Sequence, residues 1–329
     1  MNRLAELPLG ERTVYFVQAA AGLALPPAAV EKDFWVCWTL ARLFSSERLA
    51  PRILFKGGTS LSKVFNLIRR FSEDIDLILD WNEVAADDPR AERSRTQQDR
   101  YNHELIDRSR DYVRETFLPE VRRLVGGCCT AEVEAGAPDV IDIRYPSAHA
   151  DRYLRPEIRL EIGPLAQWIP HATYRIKPYA AEVLPNLFSE PDCAVRAIKA
   201  ERTFWEKATI LHAEAFREPP AVPSVRYSRH YYDLAMMAED EPTRAAALGD
   251  PELLRSVVEF KKKFYARAGA RYDLAKPGTF RLLPPAHARE SLVEDYENMQ
   301  VMLFGDSPAF DEILDKLGRL EQAINQMEP

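Results

Sequence analysis

The spacing of apolar residues mixes two periods over the first half of the chain and keeps to one over the second, and that division limits the possible folds more than any other feature. Between residues 52 and 179, short stretches alternate polar and apolar side chains; beyond residue 194 the apolar spacing becomes three to four. Alternation is the mark of a strand covered on one face, and the longer spacing that of an amphipathic helix. RILF (52–55), DIDLIL (74–79), TAEVEA (130–135), DVIDIRY (139–145), EIRLEIG (157–163) and the weaker TYRIKPY (173–179) therefore read as strands. Gly136 to Pro138 makes the second and third of the long strands a hairpin. Helices are expected over 11–23, 27–46, 60–70 and 91–124, then over 194–216, 226–240, 250–268, 286–303 and 308–326. Pro185 and Pro191 mark a linker between an α/β half and an all-helical half. With 329 residues and about 100–200 residues per domain, two domains fit.

Composition narrows the class. The chain is 46% hydrophobic and 29% charged, which a large core can support without metal or disulfide staples. A net charge of -7 argues against a surface coated in nucleic acid, though a local basic groove is compatible with it. Cys37 lies in an apolar stripe, and the adjacent Cys128 and Cys129 fit neither a disulfide framework nor a CxxC metal site. The first residues, MNRLAELPLGERTVYF, lack a signal-peptide core, and FWVCWTLARLF (34–44) is too short to span a bilayer. The expectation is a cytoplasmic protein without membrane contact.

The chemistry concentrates in KGGTSLSKVFNLIRRFSEDIDLIL (56–79). In a strand, residues two apart share a face, so Asp74 and Asp76 project together. Two adjacent carboxylates repel unless a proton or a cation joins them. Mg²⁺ (or Mn²⁺) suits such a pair, because it takes a few carboxylate oxygens and fills its shell with substrate phosphates. Gly57 and Gly58 leave backbone N–H groups uncovered, and a helix starting near Ser60 would turn its positive end toward an anion. Thr59 and Ser60 add hydroxyl donors, and either can cap the helix. Taken alone, a glycine pair is a turn and a D-x-D is a strand end; together they join a phosphate cradle to a metal platform. Neither GxxxxGK[ST] nor GxGxxG is present.

Lys56-Gly57-Gly58-Thr59-Ser60-Leu61, followed by Arg70-Phe71-Ser72-Glu73-Asp74-Ile75-Asp76-Leu77, resembles the first motif of the AbiEii/AbiGii-type toxins. These are nucleotidyltransferases of the DNA polymerase β superfamily and include the mycobacterial MenT toxins. Glu31-Lys32-Asp33-Phe34-Trp35-Val36 is similar to that family's N-terminal helix. Glu206-Lys207 resembles its helix bearing Glu-Lys, and Arg229-His230-Tyr231-Tyr232-Asp233-Leu234 its later Arg-Asp-x-Tyr-Asp-Leu motif, with His230 where Asp is commoner.

The resemblance implies an α+β fold: a mixed-sheet, polymerase β-like nucleotidyltransferase core over 1–192, then a helical domain over 193–329 that completes the active-site cleft. It implies a third metal-binding carboxylate on a neighbouring strand. Glu161 is the choice, with Glu157 and Asp142 as alternatives. Asp74, Asp76 and Glu161 would hold the metal, and the third carboxylate can also act as general base. Ser72 belongs to the active site in the family, or caps a turn. Lys207 would reach the triphosphate. Asp233 would orient Lys207 or an arginine, or touch the nucleotide sugar. Arg229 would contact phosphate or Asp233, Lys56 and Arg70 are further phosphate-side cations, and His230 reads as a structural hydrogen-bonding residue.

The implied reaction is attack of an acceptor hydroxyl on the α-phosphate of an NTP. The implied acceptor is the tRNA 3′ end, with translation blocked and a cognate antitoxin as partner. RAERSRTQQDR (90–100) and KKKFYARAGARY (261–272) could receive RNA, the second by mixing cations with aromatics. Both also read as solvated helix faces, with Phe264 in the core. A protein or small-molecule acceptor, or a non-catalytic NTP-binding protein, stays open.

Overall fold

A computed structural model describes residues 1–72, 74–149, 155–267, 269–305 and 307–328. Glu73, inside the first motif, and Ala268, the expected end of one helix, lie outside the described residues. Two compact units form: residues 1–64 with 71–198, and residues 65–70 with 199–329.

The first unit contains α1 (Asn2–Ala5), α2 (Leu9–Leu23), α3 (Pro27–Ser45), β1 (Ile53–Lys56), α4 (Gly57–Lys63), β2 (Asp74–Leu79), α5 (Arg95–Tyr112) and α6 (Leu118–Val125). A π-helical turn at Val113–Phe117 joins α5 to α6. Then follow β3 (Thr130–Glu134), β4 (Ala137–Arg144), β5 (Glu157–Gly163), β6 (His171–Ile176), α7 (Ala180–Val183) and β7 (Cys193–Ile198). The seven strands form one mixed sheet in the order β3-β4-β5-β2-β1-β7-β6. β2 runs parallel to β5 and β1 parallel to β7, and the other neighbours are antiparallel.

Alternation sorts this sheet into two chemically different faces. Ile53, Phe55, Ile75, Leu77, Leu79, Ile141, Ile143, Ile158, Leu160 and Val195 share one buried core with Phe16, Phe34, Trp35, Leu105, Phe117 and Val121 from α2, α3, α5, the π turn and α6. The alternate residues face the other way. There Leu54, Ile78 and Ile198 form a small apolar cluster with Ala166 and Trp168, beside the charged side chains of β2, β4 and β5.

Three expectations change. The helix expected over 60–70 is α4, Gly57–Lys63, so the glycines form its first turn. It stops early: Asn66 adopts a left-handed backbone (φ 53°), and residues 65–70 belong to the second unit. The expected linker runs into β7, because Val195 and Ala197 face the core while Arg196 faces away. The division thus falls after Ile198, not at 192/193.

The second unit contains α8 (Ala200–Ala215), α9 (Ser228–Glu239), α10 (Glu241–Leu248), α11 (Pro251–Phe264), α12 (Arg289–Met299) and α13 (Phe310–Asn325). The sequence reading missed α10, which starts where the Asp240 side chain accepts the Thr243 N–H. Phe204, Trp205, Tyr231, Leu234, Phe280, Ile313 and Leu317 are among its buried residues. His212 is spent on structure: Nδ1 accepts the Arg281 N–H, so the other ring nitrogen donates to the Arg271 carbonyl. Among the described residues, no single helix is long and apolar enough to cross a membrane.

Candidate active site

Strand register brings the predicted carboxylates together. Asp74 is the register partner of Arg159 on β5, and Asp76 is the partner of Glu161. Lys56 on β1 lies opposite Asp76 from the other side. Asp76 is half-buried and Glu161 exposed, so the pair opens to solvent at one edge. Glu157 is instead held by Arg144 (3.9 Å) and Arg155 (3.6 Å). Asp142 is buried opposite Arg159, and burial, followed by the nearby charges of Glu157 and Glu134, pushes its carboxyl above the usual range.

The glycine turn touches this platform directly. Gly57 has a φ of 79°, and a Cβ there would lie 2.5 Å from Asp76 Cγ and closer still to its Oδ2. Only glycine lets the α4 backbone close onto the carboxylate. The hydroxyls expected to face a phosphate are turned inward instead. Thr59 Oγ1 donates to the Asp74 carbonyl, and Ser60 Oγ donates to the Gly57 carbonyl at 2.8 Å. Thr59 fastens α4 to the start of β2 and Ser60 closes on α4's own first turn, which leaves the backbone N–H groups of that turn as its donors. Ser72 is half-buried two residues before β2.

The Glu31-Lys32-Asp33 segment supports α4 from behind. Lys63, its last residue, reaches Asp33 Oδ1 at 2.6 Å and lies 3.7 Å from the centre of the Tyr179 ring. The other Asp33 oxygen accepts the Tyr179 N–H at 2.6 Å. Glu31 accepts the Ala148 N–H at 2.9 Å and the His149 N–H at 3.1 Å.

Two residues outside the set of predicted site residues, Arg159 and Glu134, matter here. Arg159 lies 3.5 Å from Asp74 and makes a two-pronged contact with Glu134, at 3.2 and 2.5 Å. Burial works against its charge, and Glu134, Asp74, Asp142 and Glu161 outweigh that effect. The signal was present: Arg159 stands between Glu157 and Glu161 in one alternating stretch, so it had to share their face.

Among the described residues, no three His, Cys, Asp or Glu side chains enclose a metal ion. The donor set still fits one. Carboxylate oxygens on an open strand face suit a hard cation such as Mg²⁺ or Mn²⁺, whose shell is completed by substrate oxygens rather than a closed protein cage.

In the second unit, Asp233 on α9 is fully buried and joins two predicted cations. Arg70 grips it through Nε at 2.6 Å and Nη2 at 2.8 Å, and Lys207 Nζ on α8 lies 2.7 Å away. Burial alone would raise the Asp233 pKa; Arg70 and Lys207 reverse that and hold it well below the usual carboxylate range. Burial, with Arg70 and Arg229 nearby, pushes Lys207 down, and Asp233 restores only part of that shift. Asp233 is thus paired with both cations. Residues 69 and 70 are held extended: the Tyr232 hydroxyl accepts the Arg69 N–H (3.2 Å), and Arg70 bridges to Leu303. His230 has a buried Nδ1 without a hydrogen-bond partner among the described residues. The structural hydrogen bond expected of it is therefore not seen at that atom.

The two basic stretches differ. Around 90–114 the arginines are largely occupied locally: Arg93 on backbone carbonyls, Arg100 near Glu104 (3.8 Å), Arg110 near Asp107 (3.1 Å) and Arg114 near Asp111 (2.5 Å). Around 261–272, Phe264 is buried as expected, Lys262 pairs with Glu259, and Tyr265 is 42% exposed.

No curated protein matches the sequence. Among solved structures, MenT4, a nucleotidyltransferase toxin of Mycobacterium tuberculosis, is similar at 16% identity and a TM-score of 0.44, covering 96% of this chain and 99% of that one. An inferred nucleotidyltransferase from H. pylori is similar at 16% identity and a TM-score of 0.36, covering 90% and 99%. The sequence profile of the AbiEii family, described as nucleotidyl transferase toxins of type IV toxin–antitoxin systems, matches residues 38–316. Because that match spans most of the sheet unit and most of the helical unit, the chain belongs to the AbiEii nucleotidyl transferase toxin family.

Proposed function

We propose that this chain transfers a nucleoside monophosphate from an NTP to an RNA acceptor, the tRNA 3′ end, and so blocks translation. One observation carries the reading: Asp74 and Asp76 share a strand face, with Glu161 in register beside Asp76 and Gly57 closed against its carboxylate. Divalent cations bound by Asp74, Asp76 and Glu161 would neutralise the transferring phosphate and steady the attacking and leaving oxygens. The chain's own groups do the rest. Glu161, the more exposed carboxylate of its register pair, accepts the proton of the acceptor hydroxyl. That oxygen bonds to the α-phosphorus as the bond to pyrophosphate breaks. The first-turn N–H groups of α4, with Lys56, offer donors to the phosphates. In the helical unit, the pairing of Lys207 and Arg70 with Asp233 supports the cationic role that the family resemblance gives them, and Arg229 belongs to the same set. The 261–272 stretch, with its lysines and exposed Tyr265, supports an RNA acceptor. Membership of a toxin–antitoxin family makes a cognate antitoxin the expected protein partner.

The test is incubation of each α-labelled NTP with total tRNA, with mixed protein and with small hydroxyl acceptors. Label is expected in tRNA, dependent on Mg²⁺ or Mn²⁺, and reduced at least about 100-fold by Asp76→Asn, the scale of losing a key charge-stabilising group. Label in protein or a small acceptor instead would overturn the tRNA reading. An Asp76→Asn protein that stays fully toxic would overturn catalysis itself.

A further inference from the structure

Arg159 occupies a place that the reaction as outlined leaves unexplained. It rises from β5 beside two of the three carboxylates proposed to bind metal, as register partner of Asp74 and two residues before Glu161. Its guanidinium divides itself between Asp74 (3.5 Å) and Glu134 on β3 (3.2 and 2.5 Å). The geometry is unequal. The Glu134 contact is a fork against a carboxylate, the strong form of an arginine pair, and the Asp74 contact is a single long one. Asp142, in register with Arg159 on its other side, is buried and has an oxygen with no hydrogen-bond partner among the described residues. The guanidinium thus has acidic neighbours both toward the metal platform and away from it. Side chains at 20% exposure for Arg159, 24% for Asp74 and 27% for Glu134 are too sheltered for water to screen them fully.

From this we infer that Arg159 is a tethered counter-ion of the metal platform: it neutralises Asp74 while the platform is empty, competes with divalent cations for it, and yields by retreating onto Glu134. A fixed positive charge beside Asp74 weakens cation binding to the free protein. A nucleotide's phosphates add the negative charge that tips the balance, so cation and nucleotide load together. Arg159 is a positioning residue in this scheme, and Glu134 its resting partner. The inference rests on the proposal that Asp74 and Asp76 bind metal.

The experiment is titration of the full chain with Mn²⁺ alone, reading free Mn²⁺ by electron paramagnetic resonance at fixed ionic strength, then again with a non-hydrolysable NTP. Arg159→Gln is expected to tighten nucleotide-free binding about tenfold, the scale of removing one partly screened neighbouring charge, and to narrow the gain that nucleotide brings. Arg159→Lys keeps the charge and should stay nearer the parent. Glu134→Gln removes the resting partner, leaves Arg159 on Asp74, and should weaken Mn²⁺ binding. That opposite sign holds the test open even if Arg159→Gln folds poorly. Unchanged or weaker binding in Arg159→Gln, with Asp76→Asn losing Mn²⁺, would overturn the counter-ion role and leave the metal site standing. Parent-like Mn²⁺ binding in Asp76→Asn would overturn both.

Discussion

Gly57 is the residue on which the two halves of the motif depend. Its left-handed backbone and its contact with Asp76 leave no room for a side chain. Gly57→Ala is expected to cost about 1–2 kcal/mol from the backbone conformation alone. The larger effect should be on chemistry, because the added methyl displaces the Asp76 carboxylate. Comparing melting temperature with transfer rate checks this: the rate should fall further than the stability loss explains. Glu161 and Glu157 offer a second test, since both occupy the same face of β5. Glu161→Gln is expected to slow transfer about 100-fold or more, the usual contribution of a positioned base. Glu157→Gln, already turned toward Arg144 and Arg155, should leave the rate near the parent's. Equal losses in single-turnover assays would contradict the assignment of Glu161.

At the scale of elements, α4 is a seven-residue helix too short to hold itself, so its position comes from its ties. The buried Lys63–Asp33 pair fixes one end, and the Thr59 hydroxyl, on the Asp74 carbonyl, fixes the other. Asp33→Asn leaves the Lys63 ammonium buried without its counter-charge. A loss of about 3–5 kcal/mol is expected, measurable by urea denaturation. α9 carries a pH-sensitive feature. Burial, then the positive charges of Lys207 and Arg229, holds the His230 pKa well below the usual histidine value. When the chain unfolds, the imidazole returns to about 6.5. Between the two values the unfolded state binds more protons, so stability is full above about pH 6.5 and falls as pH drops below it, by at most about 1.4 kcal/mol per pH unit. His230→Gln should flatten that slope in melts taken from pH 7.5 to 5. An unchanged slope would show that the lost stability resides elsewhere.

For the whole molecule, the hydrophobic core of the sheet unit lies on the face away from the carboxylates, so cation removal should not unfold it. Chelation with EDTA is expected to abolish transfer and leave the melting temperature nearly unchanged. Mg²⁺ with NTP at about 100 times its dissociation constant should stabilise the chain by about 2.7 kcal/mol. Much of the fold was legible in the sequence, because alternation and helical spacing are local records of which side chains are buried. Six of the seven strands, the α3 helix and the shared face of Asp74 and Asp76 follow from such counts. Residues 65–70 were misread as helix, since residues 69 and 70 are held extended by Tyr232, a partner 163 positions away from Arg69, and by the bridge to Leu303. β7 was missed because its short, alanine-rich alternation resembles the start of a helix until Phe55 of β1 is set beside Ala197. The inward turn of Thr59 and Ser60 and the fork between Arg159 and Glu134 were equally out of reach. By itself, then, the sequence determined which residues could form strands and helices and which carboxylates had to point the same way, because those depend on neighbours along the chain. Only the tertiary structure decided which charge answers which, because an ion pair depends on distance in space, and spacing along the chain does not specify it.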